Sequence, residues 1–373
     1  MKDSQEKLFF ELVQVALGVK DDLSRAPLEK EWRNLLVISD RQGVTGVVFD
    51  AINRLSHRNA TVKPPFELLM EWIASTEQIK WKNILANKRC VELVEMFREA
   101  HFESCILKGQ GNAMMYPNPT CRIPGDIDLW VKGKREDIVR YVRERTPNVF
   151  EQYHHIDFPI FDDVSVEVHF TPGAMTRPKY NRRFQEYAFK AFDKELRNKV
   201  LLPDTSREVC VSTLEFNVVY QMAHMMVHFF DEGVGMRHYV DYFYVLKKCE
   251  TEISDTIVIR NILSSLGLER FAKGVMWIEK EILGIDDKCL LMEPSERIGT
   301  VLLKEMLTGG NFGQYDERYG LRRYGMWGRA MSDGNRLLSL WTTFPQEVTW
   351  KLLWKIKNQR WKIKHKRCHG NSH

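Results

Sequence analysis

The sequence predicts an α+β fold, and three observations carry that expectation. A helical period runs through the first hundred residues, short β-type runs cluster between Ser104 and Phe170, and an apolar helical pattern resumes beyond Arg207. The organisation reads as a helical N-terminal region over 1–100, an α/β core over 101–205, a helical C-terminal domain over 206–350 and a basic tail over 351–373.

In order along the chain, Leu8, Phe9, Leu12, Val15 and Leu17 recur at about a 3.6-residue period, and the segment from Pro65 to Ala100 extends it. Cys105-Ile106-Leu107 reads as a short buried strand, Lys108-Gly109-Gln110-Gly111 as a turn, and Asn112 to Tyr116 as a brief helix. Pro117-Asn118-Pro119 ends that helix, since proline cannot continue it. The run Gly125-Asp126-Ile127-Asp128-Leu129-Trp130 is a strand entered through Pro124-Gly125, and a helix follows over 134–145. Ile156 to Phe161 and Val164 to Phe170 form a hairpin around Asp162-Asp163. Leu214 to Phe230 and Gly235 to Lys248 are helices.

Composition narrows the function classes. With 373 residues, 44% of them hydrophobic, the chain can bury a large core. No apolar run approaches the roughly 18 residues of a membrane span, and the charged start Met1-Lys2-Asp3 lacks a signal-peptide core, so the expected location is cytoplasmic. Seven cysteines stand singly, at 90, 105, 121, 210, 249, 289 and 368, which argues against a disulfide framework and a thiolate zinc site. The formal charge of +5 is local: eight cations between Lys351 and Arg367 have no acid among them, so the remainder is net acidic. That tail, over 351–368, is a candidate contact for an anionic partner such as nucleic acid or an anionic membrane surface, or else a terminal helix packing Trp354 and Trp361 on the body with its lysines in water.

The chemistry concentrates in the acidic strand. Side chains at i and i+2 of a strand share a face, so Asp126 and Asp128 project together while Ile127, Leu129 and Val131 face the core. Two like charges held together call for a cation, and Gly125 removes a side chain where a ligand's phosphates would approach. In Val164 to Phe170, Glu167 lies on the same face as Ser165 and His169, which adds a third carboxylate with His169 as its support. Oxygen donors without nearby cysteine suit Mg²⁺ or Mn²⁺, and such ions imply phosphates. Asp126, Asp128 and Glu167 are therefore the candidate catalytic and metal residues. Lys108, Gly109, Gln110, Arg122, Gly125 and His169 are candidates for nucleotide contact, the glycine turn through backbone N–H groups and the cations through charge.

The run Leu107-Lys108-Gly109, Tyr116-Pro117, Arg122, Gly125-Asp126-Ile127-Asp128-Leu129 and Val166-Glu167-Val168-His169 resembles a bacterial family described as uncharacterised nucleotidyltransferases, within the polymerase-beta-like superfamily. The resemblance extends to Ala223-His224, His228, Gly233, Gly235, Arg237 and Asp241 and covers roughly residues 90–245. It implies a small mixed β-sheet core and metal-dependent transfer of a nucleoside monophosphate from a nucleoside triphosphate (NTP) to a hydroxyl. The acceptor stays open among a sugar, a small molecule, an RNA end and a protein side chain. Gln110 stands where that superfamily's turn carries Gly or Ser, which keeps a second reading, a nucleotide-sensing or scaffold protein of the same fold. His224 and His228, spaced i, i+4, share one helix face, and Arg237 and Asp241 repeat the spacing and could pair with each other.

Overall fold

The computed structural model describes residues 4–58, 62–316, 318 and 325–356. Four helices open the chain: α1 (Ser4–Ala16), α2 (Glu29–Arg41), α3 (Thr45–Arg58) and α4 (Phe66–Glu99). The 34-residue α4 begins directly after Pro65, a residue compatible only with a helix start, and buries a stripe at three- and four-residue steps. Its first half packs Trp72 against Trp32 and Phe49 of the N-terminal layer. Its second half puts Cys90, Leu93 and Phe97 into the core beneath the sheet.

The sheet is small and mixed, as expected. Strands β1 (Ser104–Leu107), β2 (Ile127–Val131), β3 (His155–Asp157) and β4 (Val166–His169) lie in the order β1-β2-β4-β3. The β2–β4 pair is parallel and the other two are antiparallel. Period-2 alternation divides the side chains between two cores. Ile106, Ile127, Leu129, Val131, Ile156, Val166 and Val168 face α4 and α6 (Arg135–Arg145). Cys105, Leu107 and Trp130 face the other way, toward α7 (Pro178–Glu195) and α8 (Leu214–Asp231), where the Trp130 ring lies 4.0 Å from Phe192 and 5.4 Å from Phe216. Covered on both faces and flanked on both edges, β2 is the interior strand its flanking residues predicted.

Three local differences from expectation have physical causes. The helix α5 (Gly109–Ala113) starts earlier than the turn reading placed it, because Lys108 (φ 40°) and Gly109 (φ 44°) complete the reversal in two residues of positive φ. The first hairpin strand stops at Asp157 instead of Phe161, since Pro159 has no N–H for the ladder. A second sheet of β5 (Lys199–Leu201) and β6 (Glu208–Cys210) was invisible to periodicity because three residues do not display a period.

The remaining helices are α9 (Met236–Glu252), α10 (Thr256–Ser265), α11 (Glu269–Trp277), α12 (Glu296–Gly309), α13 (Gly325–Ser339) and α14, residues 345–356. They share one hydrophobic core with α1–α3. Gln42 fastens the two ends together, donating to the Met306 carbonyl at 2.9 Å and accepting from the Met236 N–H at 3.0 Å. Two cations of the basic tail are used by the body: buried Lys351 pairs with Asp231, and Lys355 meets Asp333 at 3.3 Å. The other tail cations, at 357–367, lie outside the described residues. Among the described residues no helix is long and apolar enough to cross a membrane.

Candidate active site

Strand register assembles the site. In the parallel β2–β4 pair Asp128 is the direct partner of Glu167, and in the antiparallel β3–β4 pair Glu167 is the partner of Asp157. One row across three strands therefore carries three carboxylates on one face, and the next row carries His169 opposite His155. One ligand atom each from Asp128, Glu167 and His169 lies within 4.8 Å of the others, and the same holds for His155, Asp157 and Glu167.

Hydrogen bonding and charge fix these groups. Asp128 Oδ1 lies 2.9 Å from His169 Nε2, and Asp128 Oδ2 lies 3.0 Å from Lys108 Nζ. His169 Nε2 also stands 3.3 Å from Glu167 Oε2, and His155 Nδ1 stands 3.4 Å from the same oxygen. Lys108 further donates to His224 Nε2 at 2.8 Å. Burial opposes every charge here, yet the partners prevail. Lys108 and His169 hold Asp128 below the usual carboxylate range, and His169 with His155 does the same for Glu167. Burial pulls His169 down, but Asp128 and Glu167 outweigh it and push the imidazole up to about 9. Elsewhere burial wins: His228 falls to about 4, and His154, His224 and His238 fall well below the ordinary histidine range, Lys108 adding to the effect for the first two and Arg237 for the third.

The acids open on a cavity of about 520 Å³ lined on one side by Lys108, Gly125, Asp126, Asp128, Glu167 and His169, and on the other by α8 residues His224 and His228 with Arg237. The donor set, carboxylate oxygens with one imidazole, suits a hard divalent ion.

A family model described as uncharacterised nucleotidyltransferase matches residues 29–284, about two thirds of the chain. The chain belongs to that family. Its matched span takes in the sheet, the acidic cluster and α8–α9, and so covers both stretches that carried the resemblance, Leu107 to His169 and His224 to Asp241. Among solved structures, an antigenic nucleotidyltransferase-like protein from Paracoccidioides brasiliensis is similar at 10% identity, over 52% of this chain and 93% of that one, with a TM-score of 0.29. No curated protein matches.

Within this nucleotidyltransferase-family chain, the expected residues divide into those on the cavity and those turned away. Asp126, Asp128, Glu167, His169, Lys108 and Gly125 line the large cavity. Asp126 precedes the first ladder residue of β2, so no strand pairing holds it, and it stands exposed outside the close trio of Asp128, Glu167 and His169. Of the three expected carboxylates, Asp128 and Glu167 come together with His169, while Asp126 lines the same cavity outside that trio. Gln110 is corrected: it is buried against α4, donating to Asn87 and, at 3.4 Å, to Asn83, and does not face the cavity. Arg122 is neutralised by Asp241 through bonds of 2.7 and 2.8 Å, and Tyr116 donates to the same carboxylate at 2.5 Å. Asp241 thus pairs with Arg122 and not with Arg237.

That exchange leaves Arg237 as the cation sequence reasoning undervalued. It is only 9% exposed, yet meets no carboxylate within 4 Å among the described residues, and its Nε has no hydrogen-bond partner. Its guanidinium lies over the Phe312 ring, 5.4 Å from the centroid, and a Cβ added at Gly125 would stand 3.7 Å from its Nη1. Gly125 thus lies within van der Waals reach of the guanidinium, whose Nη1 also donates to the Ile123 carbonyl at 3.3 Å. The sequence signal was an arginine in the first turn of α9, apart from that helix's other strong cations, Lys247 and Lys248.

Proposed function

We propose that this chain transfers a nucleoside monophosphate from an NTP to a hydroxyl-bearing acceptor, with Asp126, Asp128 and Glu167 as the residues that would hold Mg²⁺ or Mn²⁺. The observation that carries the reading is the register pairing of Asp128 with Glu167, which gathers carboxylates at a cavity that Lys108 also lines. A bound divalent ion supplies positive charge for the phosphate oxygens during in-line displacement. The protein's own part is positioning. Glu167, 30% exposed and ionised at neutral pH, is available to accept the acceptor hydroxyl's proton. His169 fixes both Asp128 and Glu167 through one ring nitrogen. Arg237, buried without a carboxylate, supports the non-transferred phosphates, and Lys108 adds charge from the turn.

The test is transfer of label from an α-labelled NTP to acceptor pools with Mg²⁺ or Mn²⁺ present, run beside Asp128→Asn and Glu167→Gln. Divalent-dependent labelling in the wild type and its loss in both variants is expected; equal labelling in Asp128→Asn would falsify the assignment. A second reading is nucleotide sensing without turnover, favoured by the Lys108–Asp128 ion pair that already satisfies one metal-type carboxylate. Saturable NTP binding with no label transfer to any acceptor would establish it instead.

A further inference from the structure

A second cavity, of about 310 Å³, adjoins the acidic one: Met175 and Val227 line both. Its chemistry is different. Where the first is walled by carboxylates and imidazoles, this one is walled by Tyr180, Met226, Phe230 and Trp350, with Arg177, Arg270 and Glu347 as its charged groups. Its volume falls in the range of small-molecule sites, which are apolar with a few fixed polar groups.

The polar groups are held in place and incompletely satisfied. The Arg177 guanidinium lies 4.8 Å from the centroid of the Tyr180 ring and 5.8 Å from that of Trp350. It donates only to neutral oxygens, the Tyr180 hydroxyl at 3.4 Å and Gln346 Oε1 at 3.3 Å. Arg270 is anchored by the Thr343 carbonyl at 3.1 Å. Among the described residues the hydrogen-bond partners of both arginines are neutral oxygens, and Glu347 keeps one buried oxygen with no donor. Tyr180 is seated on Gly267, where an added Cβ would come within 2.2 Å of the ring, so glycine sets the ring's position. Two arginines aimed at an aromatic-walled space call for an anion joined to an apolar body, and Glu347 calls for a hydrogen-bond donor on the same molecule.

We infer that this cavity is the acceptor subsite, and that the acceptor is a hydroxyl-bearing molecule with an apolar or aromatic body and an anionic end held by Arg177 and Arg270. The assignment rests on the proposed transferase reading for its role, since a hydroxyl reaching past Met175 and Val227 arrives at the carboxylate cluster. The methionine at that boundary is a flexible partition, suited to a passage between two ligands.

The test separates binding from transfer. Full-length protein is titrated calorimetrically with 3-(4-hydroxyphenyl)propionate and with its uncharged amide, in the absence of nucleotide. The acid is expected to bind at least about tenfold more tightly than the amide. That preference should vanish in Arg177→Gln, whose folding is checked by its melting temperature, and should persist in Asp128→Asn. Val227→Trp, which narrows the passage between the cavities, should leave acid binding in place while suppressing labelling of the phenol. Equal affinities for acid and amide, no binding of either, or displacement of the acid by adenosine would each overturn the inference. Acid-selective binding that needs Arg177, found together with no label transfer from any NTP, would support the anion-selective cavity and count against the transferase reading alone.

Discussion

Two of the buried ion pairs in this molecule are built for different ends. In the first, Arg122 meets Asp241 through two bonds, Tyr116 donates to the same carboxylate, and each charge has its match. In the second, Lys108 meets Asp128, but Glu167 and exposed Asp126 line the same cavity, where the His169 imidazolium contacts Glu167 and Arg237 stands without a carboxylate of its own. The first pair is closed and one-for-one; the second is an acid-rich group open to a large cavity. A carboxylate fully matched by its neighbours organises the chain, while an excess of carboxylates facing a cavity is disposed to receive a cation from outside.

The contrast is broken or sharpened by four measurements. Asp128→Asn should lower label transfer by at least about 10³-fold while keeping the far-ultraviolet spectrum, since the cavity lets water reach Lys108. Asp241→Asn should act on folding, costing about 3–5 kcal/mol in urea denaturation by stranding Arg122; a cost no larger than that of Asp128→Asn would erase the distinction. A third, independent buried acid calibrates these charges: Glu195, which accepts from the Thr213 N–H and hydroxyl, is pushed up to about 7 by burial. Its native form binds a proton more tightly than the unfolded chain does, so stability falls as pH rises from about 4.5 through about 7. Glu195→Gln should remove on the order of 3 kcal/mol of that slope, read from melts across the interval. Smallest of the four, Arg237→Gln should raise the KM for NTP about tenfold with kcat nearly kept, the mark of a lost phosphate contact; an unchanged KM would return Arg237 to a packing role.

How much of this was legible beforehand depends on the range of the interactions involved. The acidic strand declared itself because Ile127, Leu129 and Val131 alternate with the acids, and the structure places those three in one core. Glu167 was likewise fixed by Val166 and Val168 on the opposite face. The parallel pairing that sets Glu167 beside Asp128 joins residues 39 apart and leaves no local trace, so their convergence was a conjecture that strand register carried out. Arg122, Arg237 and Asp241 show the limit most plainly. Helix spacing favoured Arg237 with Asp241, whereas tertiary packing delivered Arg122 from a loop 119 residues away with bidentate geometry. Gln110 was misjudged for a related reason: its partners, Asn83 and Asn87, sit one turn apart on a helix whose position over the turn only the fold defines.

The length of α4 has a consequence for how the molecule can be cut. Because one unbroken rod gives Trp72 to the N-terminal layer and Phe97 to the underside of the sheet, the two share a beam and cannot be parted at Ala100 without stripping the sheet of its cover. Trimming from the front would weaken the mount of the acidic strands from a distance, since the helix that covers them is the one that the front layer holds.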